Sequence, residues 1–193
     1  VVYDGPNKTL NNNFVDKLFN LQDGKRLRLG DVLRLAKLTV SGDGGNRLNF
    51  NLMGDPAIMP TYPDYKVVVD EFDGPPSDEL PFMRAGAKVT VKGHILTPNG
   101  KPADDFTGTV HPLVYDSKET ISTLNTLDKG AVTYTDHNKI LFSGMDSVRN
   151  GRFELTFPVP LDINYSNEQG LLNLYACDAD KREAGGVFDR FLV

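Results

Sequence analysis

The residues best able to do chemistry are one thiol and three imidazoles, and their surroundings in the sequence limit what they can do. A catalytic cysteine needs a base beside it and an environment that lowers its pKa. Cys177 lies instead in an alternating stretch where Leu172, Leu174 and Ala176 take one face and Tyr175 and Cys177 the other. Neither requirement is signalled near Asp178-Ala179-Asp180, so Cys177 reads as a structural thiol. His94 follows Gly93 in a strand pattern, His111 precedes Pro112, and His137 sits in a polar turn after Asp136. Their spacings match no metal-ligand motif, and each reads as a surface or strand residue.

Three further groups invite a chemical reading and fail it. Asp178, Asp180 and Glu183 offer oxygens for a hard cation, but Lys181 and Arg182 stand where further ligands and a glycine belong, which predicts a solvated strand end. Ser147 in Gly144-Met145-Asp146-Ser147-Val148 lacks the second glycine of a nucleophile elbow. Gly42, Gly44 and Gly45 precede no helix bearing Lys-Ser or Lys-Thr, so they form a flexible connector, not a phosphate loop. The sequence thus names no catalytic, cofactor-binding or metal-binding residue.

The elements that would position any site come in two kinds. Leu10, Phe14, Leu18 and Leu21 recur at helical spacing, and after Asp23-Gly24 a second stripe is made by Leu29, Leu33, Ala36 and Val40, with Asp31 near the amino end. Leu48, Phe50 and Leu52 alternate with Asn49, Asn51 and Met53 and predict a strand, as does Tyr65 to Phe72. Asp73-Gly74-Pro75-Pro76-Ser77-Asp78 then reads as a linker, because its prolines block a continuing helix or central strand.

Beyond the linker the period is two. Ala87, Val89 and Val91 lead, the Pro98-Asn99-Gly100-Lys101 turn follows, and further strands are expected at 110–115, 139–143, 152–159 and 171–177. Phe153, Leu155, Phe157 and Val159 make the clearest inward face, preceded by an Asn150-Gly151 turn. The expectation is a mainly β chain with a small α/β part: residues 1–72 two helices and two strands, 73–79 a linker, 80–193 a sandwich of immunoglobulin-like (Ig-like) size. Two helices and two strands cannot enclose a core alone, so the first part should lean on something else.

Composition removes several function classes. Of 193 residues, 26 are Asp or Glu against 21 Lys or Arg, a net charge of -5, the wrong sign for a nucleic-acid footprint. The longest apolar runs fall far short of the ~20 residues that span a bilayer. Residues 1–10 lack the basic start and apolar middle of a signal peptide, so an export signal is expected outside this chain. One cysteine excludes an internal disulfide and a multi-cysteine metal site.

Two segments carry a family resemblance: Leu29-Gly30-Asp31-Val32-Leu33-Arg34-Leu35-Ala36-Lys37, and Asn49-Phe50-Asn51-Leu52-Met53-Gly54-Asp55-Pro56-Ala57-Ile58 with Tyr62-Pro63. They resemble the closing part of the gingipain-type, caspase-like cysteine peptidase domain, where a Leu-Gly-x-x-Leu-x-x-Ala-Lys helix precedes a strand ending in Leu-Gly-Asp-Pro-Ala. Ile140 to Gly144, Val148 to Phe153, Phe157 to Tyr165 and Leu174-Tyr175-Ala176 are similar to the region after that domain in the family's type IX secretion sortase.

The resemblance implies that residues 1–72 are the last helices and strands of a caspase-like α/β domain and that an Ig-like β-sandwich follows. It implies a parent at the bacterial cell surface, on the extracellular face of the outer membrane, whose Cys/His dyad cleaves C-terminal sorting signals from secreted cargo and attaches that cargo to the surface. No His or Cys occurs between Val1 and Phe72, so no catalytic position is carried over and this portion is expected to be inactive. The implied partners are the rest of the peptidase domain, cargo and secretion-system components, with no cofactor and no metal. The alternative is an Ig-like surface module binding glycan or protein through Tyr115, Tyr134, Tyr165 and Tyr175, although the absence of tryptophan weakens a carbohydrate platform.

Overall fold

A computed structural model describes residues 4–22, 24–40, 46–73, 79–125 and 130–193. The glycine group at 42–45 and residues 74–78 of the expected linker lie outside the described residues. The chain divides into two compact units, Val1–Tyr62 and Pro63–Val193.

The first unit holds helices α1 (Asp4–Phe19) and α2 (Leu29–Leu38) and a single 3-10 turn, Asn46–Asn49. Both helices carry an acidic residue in the first turn and a lysine in the last, which suits the helix dipole. Their shared core is small: Leu10, Ala36 and Val40, with Phe14 and Phe50 packed beside them. Asn13 Nδ2 donates to Thr39 Oγ1 across the pair at 2.6 Å, and Arg47 donates to the Val40 carbonyl at 2.7 Å.

The amino end of α2 is closed by the Gly-Asp-Pro-Ala loop. Leu29 N donates to Ile58 O at 2.9 Å and Gly30 N to Pro56 O at 3.0 Å, so two amides that lack helical partners find them there. Asp55 shapes the loop by accepting from Ala57 N at 2.8 Å. The strand expected over 48–52 does not form: after the 3-10 turn, residues 50–53 pair with no strand. A strand needs a neighbour to satisfy its backbone, and the described residues of this unit supply none. Leu48 and Met53 stay exposed.

The second unit is a sheet protein. Its strands are β1 (Tyr65–Phe72), β2 (Lys88–Leu96), β3 (Gly108–Tyr115), β4 (Glu119–Ser122), β5 (Thr133–Asp136), β6 (Ile140–Ser143), β7 (Asp146–Val148), β8 (Arg152–Pro158), β9 (Leu171–Asp178) and β10 (Glu183–Phe188). The main sheet runs β6-β3-β9-β10-β1-β2-β8, with β7 also on β3, while β4 and β5 form a separate ribbon. All pairs are antiparallel except β1 with β10. Inward residues of both ends of this path enter one core, including Val89, Val91, Phe157, Val110 and Leu172, and Phe191 joins them from beyond β10.

Two sequence features explain the topology. Pro112 sits mid-strand in β3 and has no N–H to give. Its carbonyl accepts from Gly144, at the break between β6 and β7, so the missing donor faces the gap in the neighbouring strand. Asn150 and Gly151, with φ of 50° and 69°, make the tight hairpin between β7 and β8.

The first strand departs from the expected grouping. The sequence groups Tyr65–Phe72 with the helices because it precedes the proline-rich segment, yet it pairs with β2 on one side and β10 on the other within the second unit. Hydrogen bonding to two strands outweighs proximity in the chain. The sequence also did not anticipate β4, β5, β7 or β10.

Candidate functional site

The outer face of β1, β2 and β8 gathers a set of charged side chains. A β-bulge creates it: Val69 lies opposite Gly93 and Glu71 opposite Lys92, leaving Asp70 as the extra residue. Val67, Val69 and Phe72 thereby all face the core, and Asp70 and Glu71 stand side by side on the outside. Asp70 accepts from His94 Nδ1, at 2.8 Å and 3.0 Å to its two oxygens. Glu71 accepts from Lys92 Nζ at 2.9 Å. The Lys92 ammonium is held above its ordinary pKa by that bond to Glu71, with Glu154 adding attraction.

Across the next strand pair, Arg152 lies directly opposite His94 and Glu154 opposite Lys92. Together with Asp104, Ser147 and Arg149 these residues line an open groove of about 880 Å³. Ser147, His94 and Asp70 share this groove, but no hydrogen bond joins Ser147 to His94, so no charge-relay triad is assembled among the described residues. Asp70 escaped the sequence reading. The three-residue step from Val69 to Phe72, which breaks the two-residue period, was the available signal.

The remaining candidates are dispersed. Cys177 and His111 do come onto one face through the β3–β9 register, but Thr109 Oγ1 stands between them, 3.6 Å from Cys177 Sγ and 3.1 Å from His111 Nε2. The thiol therefore meets a hydroxyl, not a base. His137 caps a turn, its Nδ1 donating to the Asp116 carbonyl at 2.7 Å. Asp116 itself is fully buried and holds the chain at Asn164 by accepting its amide at 2.8 Å.

The acidic group after β9 is divided and not simply solvated. Asp178 is nearly buried and takes Arg182 Nε at 2.6 Å and the Arg182 amide at 2.9 Å. Arg182 also reaches Asp105 at 2.7 Å, which holds the Asp105 carboxyl below its usual pKa. Glu183 instead accepts from the Tyr175 hydroxyl at 2.7 Å, which is the main reason the phenol is pushed up to about 12. No group of three His, Cys, Asp or Glu side chains suited to a metal occurs among the described residues. Nor is any described helix long and apolar enough to cross a membrane.

Comparison with known proteins gives this arrangement its context. Residues 1–61 match the model of Peptidase family C25. Those residues are thus similar to part of the gingipain-type cysteine peptidases. Among solved structures, the dimeric latent PorU from Porphyromonas gingivalis is similar over 92% of this chain, with 29% identity and a TM-score of 0.61. This chain spans only 17% of that PorU chain. Spo0M, a sporulation control protein from Bacillus subtilis, is similar at 14% identity over 67% of this chain and 48% of its own, at a TM-score of 0.38 that carries no argument. No curated protein sequence matches.

Proposed function

We propose that this chain is the non-catalytic portion of a PorU-like peptidase, in which the helical unit completes the caspase-like α/β layers and the β unit that follows it in the chain is an Ig-like sandwich. The observation that carries this reading is the incomplete burial of the helical unit. Its core is a few side chains, while Phe19, Leu21, Leu38, Leu48 and Met53 face solvent. Apolar surface on that scale for about 60 residues is the mark of a layer whose partner lies elsewhere in the parent.

In this reading the chain has a structural and positioning role, and the parent cleaves sorting signals from cargo at the bacterial surface through a dyad that this chain does not contain. The thiol facing Thr109 and the dispersed histidines support the inactive assignment. The test is a peptide-cleavage assay on the chain as it stands. No turnover is expected, and turnover abolished by changing Cys177 to Ala would overturn the proposal.

The reading as a separate glycan-binding module receives less support. Tyr165 ties its hydroxyl to the Leu161 carbonyl, Tyr175 to Glu183, Tyr115 packs on His137, and Tyr134 stands on the separate β4–β5 ribbon, so no ring contact joins these four tyrosines to one another among the described residues.

A further inference from the structure

We propose that the groove on β1, β2 and β8 is an oxyanion-binding site, taking a carboxylate or phosphate group between the guanidinium groups of Arg149 and Arg152 beside His94. The argument begins with which charges in the groove already have partners. Glu71 is bound by Lys92, and Glu154 is drawn to the same ammonium. Asp70 is bound by His94. Arg149 and Arg152 are exposed, and among the described residues neither guanidinium has an ion pair or a side-chain hydrogen bond. Asp104 and Glu154 are the lining carboxylates without an ion pair among the described residues. The groove as a whole carries four carboxylates against Lys92, Arg149 and Arg152, and the two arginines are its permanent cations without an ion pair among the described residues.

Geometry adds to charge. Arg152 and His94 are directly opposed across the β2–β8 pair, which sets their Cβ atoms roughly 5 Å apart on one face. Asp70, displaced outward by the bulge, engages Nδ1 and fixes the ring, so Nε2 is turned away from Asp70 and makes no hydrogen bond among the described residues. The hairpin residue Gly151 brings Arg149 and Arg152 to the same end of the groove, and a side chain there would strike the Ala103 carbonyl, at 2.4 Å. Arg149 and Arg152 are bridged across the hairpin and both line the groove, and guanidinium forks suit the planar, paired oxygens of a carboxylate or the tetrahedral oxygens of a phosphate.

The two sources are separated by titrating the intact chain, in heteronuclear NMR, with inorganic phosphate in one arm and N-acetylglycine in the other. Saturable shifts centred on the amides of Gly93, His94, Gly151 and Arg152 are expected in at least one arm, and the arm that saturates names the group. The double variant Arg149→Ala, Arg152→Ala should weaken binding by about ten-fold or more. Arg34→Ala, which removes one positive charge in the other unit, should leave it unchanged. Shifts that fail to saturate in both arms, that spread over the whole surface, or that persist in the double variant would overturn the site. Because both arginines are exposed and unpaired, the variant's spectrum should otherwise superpose on that of the parent chain.

Discussion

The amide of Gly30 donates to the carbonyl of Pro56 at 3.0 Å, and a Cβ built at Gly30 would lie 2.8 Å from the Cβ of Pro56. The two motifs that resemble those of gingipain-type peptidases are therefore one structural device: the first turn of α2 sits flush on the Gly-Asp-Pro-Ala loop. Gly30→Val should force the loop off the helix, freeing two amides, and destabilise the helical unit by about 2 kcal/mol. Hydrogen exchange at Leu29 to Val32 would report it. Unchanged protection there would show that the loop does not depend on the missing side chain.

A second dependence concerns the turn between β9 and β10. Asp178 is almost removed from solvent, and Arg182 provides both the Nε and the amide that satisfy it while lying over the rings of Tyr65 and Phe106. Arg182→Ala leaves the carboxylate short of its charged partner and should lower the stability of the β unit by about 2–3 kcal/mol in denaturant melts at neutral pH. The same change should flatten the acid limb. Asp105 has a folded pKa depressed chiefly by its hydrogen bond from Arg182, so its contribution is present above the ordinary value of 3.8 and lost as pH falls through the lower folded value. Without Arg182 the chief cause of that depression is gone.

Tyr175 gives a prediction at the alkaline end. Its phenol bonds to Glu183, with burial and the Glu183 charge as lesser causes, and its pKa rises from 10.0 to about 12. Because the folded value is the higher one, the stabilisation is complete below pH 10.0 and declines as pH climbs toward 12. Difference absorbance between the parent chain and Tyr175→Phe isolates this one phenol. In Glu183→Gln its midpoint should fall toward 10.0; a midpoint that stayed near 12 would shift the cause to burial.

How much of this was legible beforehand follows from which signals are local. The strand Tyr65–Phe72 was readable from its own residues, as were the inward faces of β8 and β9, since apolar alternation is a property of the strand itself. The partners of Tyr65–Phe72 were not, because pairing is decided by a β10 whose Glu-Ala-Gly-Gly-Val-Phe composition suggests a turn. There Gly186 is needed for close approach: a Cβ would fall 2.3 Å from the Val67 carbonyl. The alternation at 48–52 misled for the opposite reason, being a strand pattern without a neighbour to pair with. At the groove, His94 and Arg152 were visible as residues but their opposition required the β2–β8 register, and the Asp178–Arg182 pair required the left-handed turn at Lys181, φ 63°.

The exposed apolar side of the helical unit separates the proposed role from a self-sufficient domain. Leu38 is 70% exposed and Leu48 72%, so Leu38→Lys with Leu48→Asp removes no packing from the chain as it stands. Its stability should change by no more than about 0.5 kcal/mol, and its self-association and binding of an apolar dye should fall. In a longer protein that includes the proposed catalytic layers, the same two side chains would be covered, and charging them should cost several kcal/mol, on the order of 3 or more. Calorimetry on both proteins measures the contrast. An equal and small effect in each would mean that nothing in the parent packs on this face, and the case for an interrupted α/β layer would lose the burial argument on which it stands.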